Sequence, residues 1–154
     1  KHFIYTLIAL TIMIIISVIK TDIFIKFVGP LFALSFIFLA LVPIIGVEVK
    51  GAKRWIDLYL FRIQPIEILK PLFILMTVRI LTSKKFENSK IKYFLSFLLL
   101  SSVIILLIDQ PDLGQSILLI ISWIATVFIS GISLIYIFIF FSVLLIFISI
   151  LIFM

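Results

Sequence analysis

The 154-residue chain has no cysteine, one histidine and only 13% charged residues. Without cysteine, neither a disulfide framework nor a thiolate metal site can be built. The scarcity of charge excludes an ordinary soluble domain, in which roughly 25% of residues are charged and about 45–50% apolar. Acidic residues are the scarcer sign, seven against thirteen basic, for a net charge of +6. Hydrocarbon fills the chain instead: 65% of residues are hydrophobic, with 17 phenylalanines, and the mean hydropathy is +1.47. A soluble fold of this length could not bury so many Ile, Leu and Phe side chains, so the composition is that of a membrane protein.

A hydrocarbon layer about 30 Å thick takes roughly 20 apolar residues per helical span. The apolar runs predict spans at about residues 3–19, 27–47, 65–81, 93–108, 115–129 and 134–154, with an outer amphipathic stretch at 48–64. The expected fold class is all-α, a polytopic helical membrane protein forming a single domain over 1–154. Ile and Val favour strands in water, but in lipid continuous apolar length and the need to satisfy the backbone internally override that preference. No room remains for a separate catalytic lobe, a Rossmann unit or a nucleic-acid module, and no nucleic-acid partner is expected. The chain opens on Lys1 and ends inside an apolar run at Met154, as expected of a piece of a longer protein.

Orientation follows from basic residues. The loop at 82–92 carries Lys84, Lys85, Lys90 and Lys92 against Glu87, with Arg79 just before it, and is placed in the cytoplasm. Lys20–Lys26 then fall inside too. The stretch 48–64 falls outside although it carries Lys50, Lys53, Arg54 and Arg62 against Glu48 and Asp57. Basic charge on the translocated side runs against the bias.

Three constellations could carry chemistry. In the first, Lys50-Gly51-Ala52-Lys53-Arg54-Trp55-Ile56-Asp57, Gly51 permits a turn with positive φ. Lys53, Arg54 and Arg62 suit phosphate oxygens, and Trp55 suits the membrane interface. The alternative is a segment that merely anchors to lipid phosphates. In the second, Gln64-Pro65-Ile66-Glu67-Ile68-Leu69-Lys70-Pro71, Pro65 suits the first helical position. Glu67 lies near the positive end of the helix dipole and, three residues from Lys70, on its face. Pro71 leaves the Glu67 carbonyl without its helical donor. Ionisable groups in a span usually mark function; a purely structural ion pair is the alternative. The third, Gln110-Pro111-Asp112-Leu113-Gly114-Gln115, repeats that grammar. Proline is expected at the helix start and Asp112 in the first turn, so that Glu67 and Asp112 would face one shared outer cavity. Simple dipole compensation is the alternative for Asp112. Asp109 reads as exposed loop charge, and His2 carries no assignment.

Taken together and in this order, the three motifs resemble the SEDS family, the bacterial shape, elongation, division and sporulation proteins typified by FtsW and RodA. The resemblance covers essentially the whole chain, which would correspond to about six spans of a ten-helix fold, near the second through seventh. It implies a peptidoglycan glycosyltransferase polymerising lipid II, an undecaprenyl-diphosphate-linked precursor, on the outer face of the bacterial plasma membrane during cell wall synthesis and division. Lys53, Arg54 and Trp55 match the family's basic-Trp element; Gln64, Pro65, Glu67 and Lys70 match its Gln-Pro-Ser-Glu-x-x-Lys element, with Ile66 in place of Ser. Gln110 and Asp112 match its Gln-Pro-Asp element. With Arg62, the implied substrate-binding set is Lys53, Arg54, Trp55, Arg62, Gln64, Glu67, Lys70, Gln110 and Asp112. The family's proposed catalytic Asp follows its seventh span, so no catalytic residue is expected within this chain, which alone would be inactive. Glu48, Pro71 and Gln115 look more like the division-type FtsW than RodA. Implied partners are lipid II, a class B penicillin-binding protein transpeptidase, other division proteins and membrane lipid. A divalent cation could accompany diphosphate chemistry, though no ligand cluster specifies one. A flippase for the lipid-linked precursor and a non-catalytic membrane scaffold are the competing functions.

Overall fold

The computed structural model describes residues 2–19, 21–49, 51–58, 61–86 and 88–132, with Ile135 and Ser142. The rest of the expected sixth span lies outside the described residues, as do Lys20, Lys50 and Glu87. In chain order come α1 (His2–Val18), α2 (Thr21–Ile45), β1 (Val47–Val49), β2 (Ala52–Asp57), β3 (Arg62–Ile63), α3 (Pro65–Leu81), α4 (Ser89–Ile108) and α5 (Leu113–Ile129). The architecture is an all-α bundle with a small antiparallel sheet at one end.

Helix α2 (over Phe24–Ile45) and helix α4 are long and apolar enough to cross a membrane. Both extend beyond the purely apolar runs. α2 takes in Asp22 and Lys26 near its start. α4 begins at Ser89 because Asn88 caps it, its side chain accepting from the Lys90 N–H at 2.9 Å and so satisfying a donor that a helix start leaves free. Helix α3 starts at Pro65, where a missing N–H removes no helical bond.

α3 is the central helix and packs against α2, α4 and α5. Phe73, Leu69, Leu39, Val103 and Leu107 are fully buried at these contacts. Association in lipid depends on close packing and polar links, since hydrocarbon outside the bundle is as apolar as leucine. Buried Ser35, Ser96 and Ser116 let helices approach. Trp123 of α5 donates its indole N–H to Ser96 Oγ of α4 at 3.2 Å. The apolar side chains of α1 from Leu7 to Val18 are exposed, as suits a peripheral lipid-facing helix.

The expected amphipathic stretch at 48–64 contains a three-stranded sheet in the order β1-β2-β3. β1 and β2 form a hairpin in which Val47 faces Trp55 and Glu48 faces Lys53, and Gly51 takes a φ of +80°. Asp57 faces Arg62 across β2 and β3, and their side chains pair at 3.1 Å. Buried Ile56 turns one face of β2 toward the bundle. The opposite end of the bundle holds the basic α3–α4 loop. There Arg79 Nη1 donates to the Ile25 carbonyl of α2 at 3.3 Å, where Gly29 leaves room: an added Cβ would lie 3.3 Å from that nitrogen.

Candidate functional site

At the sheet end, three elements converge: strand β2, the start of α3 and the α4–α5 turn. Arg54 projects from β2 to that turn. Its Nε donates to the Gln110 carbonyl at 3.2 Å, its Nη2 donates to the Pro111 carbonyl, and Nε lies 3.6 Å from Asp112 Oδ2. Gln110 is itself buried, with its side-chain amide donating to the Leu39 carbonyl of α2 at 3.1 Å. The guanidinium is thus committed to internal acceptors, and a fork-shaped donor is the group that can serve several at once.

Asp112 is the N-cap of α5, which begins at Leu113. The expected helix start at Pro111 with Asp112 in the first turn is therefore corrected. Pro111 lies in the turn before the helix, whereas Pro65 lies inside the first turn of α3. The reason is that Asp112 closes the α4–α5 turn: its N–H donates to the Leu107 carbonyl and its own carbonyl accepts from Ser116 N–H and Oγ. Its carboxylate makes no cap bond. Instead it turns to Arg54 and accepts from Gln64 Nε2 at 3.4 Å. Gln64 is the N-cap of α3 and likewise makes no side-chain cap bond. Two N-cap side chains bond to each other across helices rather than to their own first turns.

One turn further along lies the second polar group. Lys70 Nζ is 2.8 Å from Glu67 Oε2, the i, i+3 pair that the spacing implies. Glu67 Oε1 accepts from Gln115 Nε2 at 2.9 Å. Gln115 was not among the substrate-binding residues implied by the sequence. Its signal was available, because Gln115 follows Asp112 by the same three residues that separate Glu67 from Gln64.

The remaining expected site residues lie apart from this cluster. Exposed Lys53 places Nζ 3.5 Å from the Pro43 carbonyl, at the C-terminal end of α2 where helix carbonyls lack donors. Arg62 pairs with Asp57 in the sheet, both well exposed. Trp55 is half-buried on β2. Next to the polar cluster an apolar groove of about 110 Å³ runs between α2, the sheet and the start of α3, lined by Phe38, Ile56, Ile63, Pro65 and Ile68 among others. Among the described residues no three His, Asp or Glu groups converge to hold a metal ion, and the two central carboxylates already face cations.

Comparison with known proteins matches the FtsW/RodA/SpoVE profile, described as cell cycle protein, to residues 1–154. A probable peptidoglycan glycosyltransferase FtsW of Aliivibrio salmonicida is 30% identical over 133 residues, covering 85% of this chain and 33% of that protein. The peptidoglycan glycosyltransferase MrdB of Escherichia coli K12 is 33% identical over 124 residues, covering 80% of this chain and 34% of the relative. The chain thus spans about a third of the curated relatives it matches. Among solved structures, a peptidoglycan synthase complex that coordinates polymerization and crosslinking superposes with a TM-score of 0.81 at 26% identity, over 90% of this chain and 41% of that one. The Thermus thermophilus rod shape determining protein RodA superposes at 0.73 with 28% identity, over 80% of this chain and 41% of that one.

Proposed function

The chain belongs to the FtsW/RodA/SpoVE family of cell cycle proteins, and from that membership we propose that it forms the substrate-cavity portion of a peptidoglycan glycosyltransferase that polymerises lipid II. In this reading residues 1–154 are one partial transmembrane domain of a multi-pass protein of the bacterial plasma membrane. The sheet end faces outward and the basic α3–α4 loop faces the cytoplasm. The working partner is a class B penicillin-binding protein transpeptidase, a pairing supported by the likeness to a synthase complex.

The observation that carries the reading is the juxtaposition of a polar, cation-bearing cluster with an apolar groove at one end of the bundle. A lipid-linked diphosphate needs both: fixed positive groups for its head and apolar surface for its tail. In glycosyl transfer an acceptor hydroxyl loses its proton as its oxygen attacks the anomeric carbon, and the diphosphate departs with the bonding electrons. A positioned base and a preorganised counter-charge lower that barrier. Glu67 and Asp112 are each held by a cation, and the role of base falls, by the family resemblance, to an Asp after the family's seventh span. Lys70 supplies charge to the anionic head, Lys53 and Arg62 add positive charge on the neighbouring sheet, and Trp55 seats the sheet at the interface. Arg54, Gln64, Glu67, Gln110 and Asp112 hold the cavity wall in shape.

The test is polymerisation of lipid II by the full-length protein with its transpeptidase partner, at equal expression of each variant. Replacing Lys70 by Ala is expected to reduce turnover by about 10²-fold or more, the scale of losing one preorganised electrostatic contact. Undiminished turnover would remove Lys70 from the substrate site, and absence of polymer from the unmodified protein would defeat the glycosyltransferase reading. A transporter would need a matching polar cluster at the basic end. Among the described residues, Arg79 of α3 and the Ile25 carbonyl of α2 form an inter-helix polar link there.

A further inference from the structure

The two cross-helix bonds at the sheet end are in register. Gln64 meets Asp112 and Glu67 meets Gln115, each pair 48 residues apart. Both α3 and α5 start at this end, so a constant offset is the signature of a parallel helix pair, and residues three apart lie on one face of each helix. The first rung is backed by Arg54 and the second by Lys70.

Gln115 occupies the second rung in a specific sense. Its amide N–H₂ faces Glu67 Oε1 at 2.9 Å, while its own carbonyl oxygen is buried without a donor. Turning the amide over would set oxygen against a carboxylate oxygen, since an ionised Glu only accepts. The side chain is therefore oriented by Glu67, at the expense of its own acceptor. With Gln115 on Oε1 and Lys70 on Oε2, both oxygens of Glu67 are held.

We propose that Gln115 is a positioning residue of the transfer site: by holding Glu67 from α5, it fixes the place of the Lys70 ammonium at the α3–α5 seam. The proposal rests on the glycosyltransferase reading. A cation stabilises a departing diphosphate most when it is already in place and needs no reorganisation; Lys70, on a flexible four-carbon stem, owes its placement to Glu67, and Glu67 owes its own to Gln115.

The experiment measures kcat and KM for lipid II with the full-length protein and its transpeptidase partner. Gln115→Glu sets a second carboxylate against Glu67 and is expected to lower kcat by about tenfold. Adding Glu67→Gln reverses donor and acceptor across the same contact, leaves one oxygen for Lys70 and keeps the net charge. The double variant is expected to recover most of the loss. If Gln115→Glu does not fold, Gln115→Leu removes the donor without adding charge. It is expected to lower kcat severalfold in the native background and to add nothing to Glu67→Ala. Equal fold-losses in both backgrounds, or a Glu67→Gln/Gln115→Glu protein no better than Gln115→Glu, overturn the inference while native polymerisation persists. Native protein that makes no polymer defeats the glycosyltransferase reading and this inference with it.

Discussion

Three acceptors share the Arg54 guanidinium: two main-chain carbonyls of the α4–α5 turn and the Asp112 carboxylate. Arg54 keeps a third of its side-chain surface exposed, while Asp112 is nearly buried at 9%. Removing the cation therefore strands a carboxylate that water reaches poorly. Arg54→Ala is expected to destabilise the protein by about 1–3 kcal/mol, reduced toward the lower figure by the exposure of the arginine. Arg54→Lys should recover only part of this, because a single ammonium on a flexible stem cannot reproduce the planar fork. Thermal unfolding of both variants in detergent checks the order; equal stability of Arg54→Lys and the native protein would show that charge alone suffices. The pairing of Glu67 with Lys70 was legible from spacing, because an i, i+3 pair is decided within one helix. The partners of Arg54 were not, because they lie 56 and 57 residues away in the chain.

Among the elements, the sheet and the α4–α5 pair show two different ways of holding backbone and side chains. The β1–β2 hairpin turns at Gly51, where φ is +80° and nothing lies within 4 Å of an added Cβ. Gly51→Ala thus tests backbone conformation alone, and a cost of about 1–2 kcal/mol is expected, read as a lower unfolding temperature. In the bundle, Ser96→Ala takes the acceptor from the Trp123 indole. A loss of about 0.6–1.7 kcal/mol is expected, the range for side-chain hydrogen bonds between helices in membranes, followed through the tryptophan fluorescence during thermal unfolding. The helices were readable from apolar length. The strands were hidden in a stretch that alternates charge with Val, Trp and Ile, and the Ile56–Ile63 pairing that completes the sheet depends on the chain reversing between β2 and β3.

For the whole molecule, the two ends differ in kind. The sheet end gathers paired carboxylates, amides and cations beside an apolar groove; the other presents exposed Lys84, Lys85 and Lys90. The proposed orientation puts these ends on opposite sides of the membrane. Because these 154 residues contain no cysteine, the test adds single thiols against a clean background, any cysteine elsewhere in the parent protein being replaced first. Lys53→Cys should react with an impermeant thiol reagent in intact cells, and Lys84→Cys only after the membrane is opened. The reverse pattern would invert the topology and place the candidate site on the cytoplasmic face.

Composition and periodicity alone determined that this is a helical membrane protein and that α3 begins at Pro65 with a Glu67–Lys70 pair on its face. They could do so because bilayer thickness, helix starts and i, i+3 contacts act over a few turns of chain. Only the tertiary structure decided that Arg54 ties the sheet to the α4–α5 turn, that two N-cap side chains bond across helices, and that Gln115 completes the grip on Glu67. Those contacts join residues about fifty positions apart. They depend on the register in which α3 and α5 pack, which many distributed van der Waals contacts set together and no local pattern encodes.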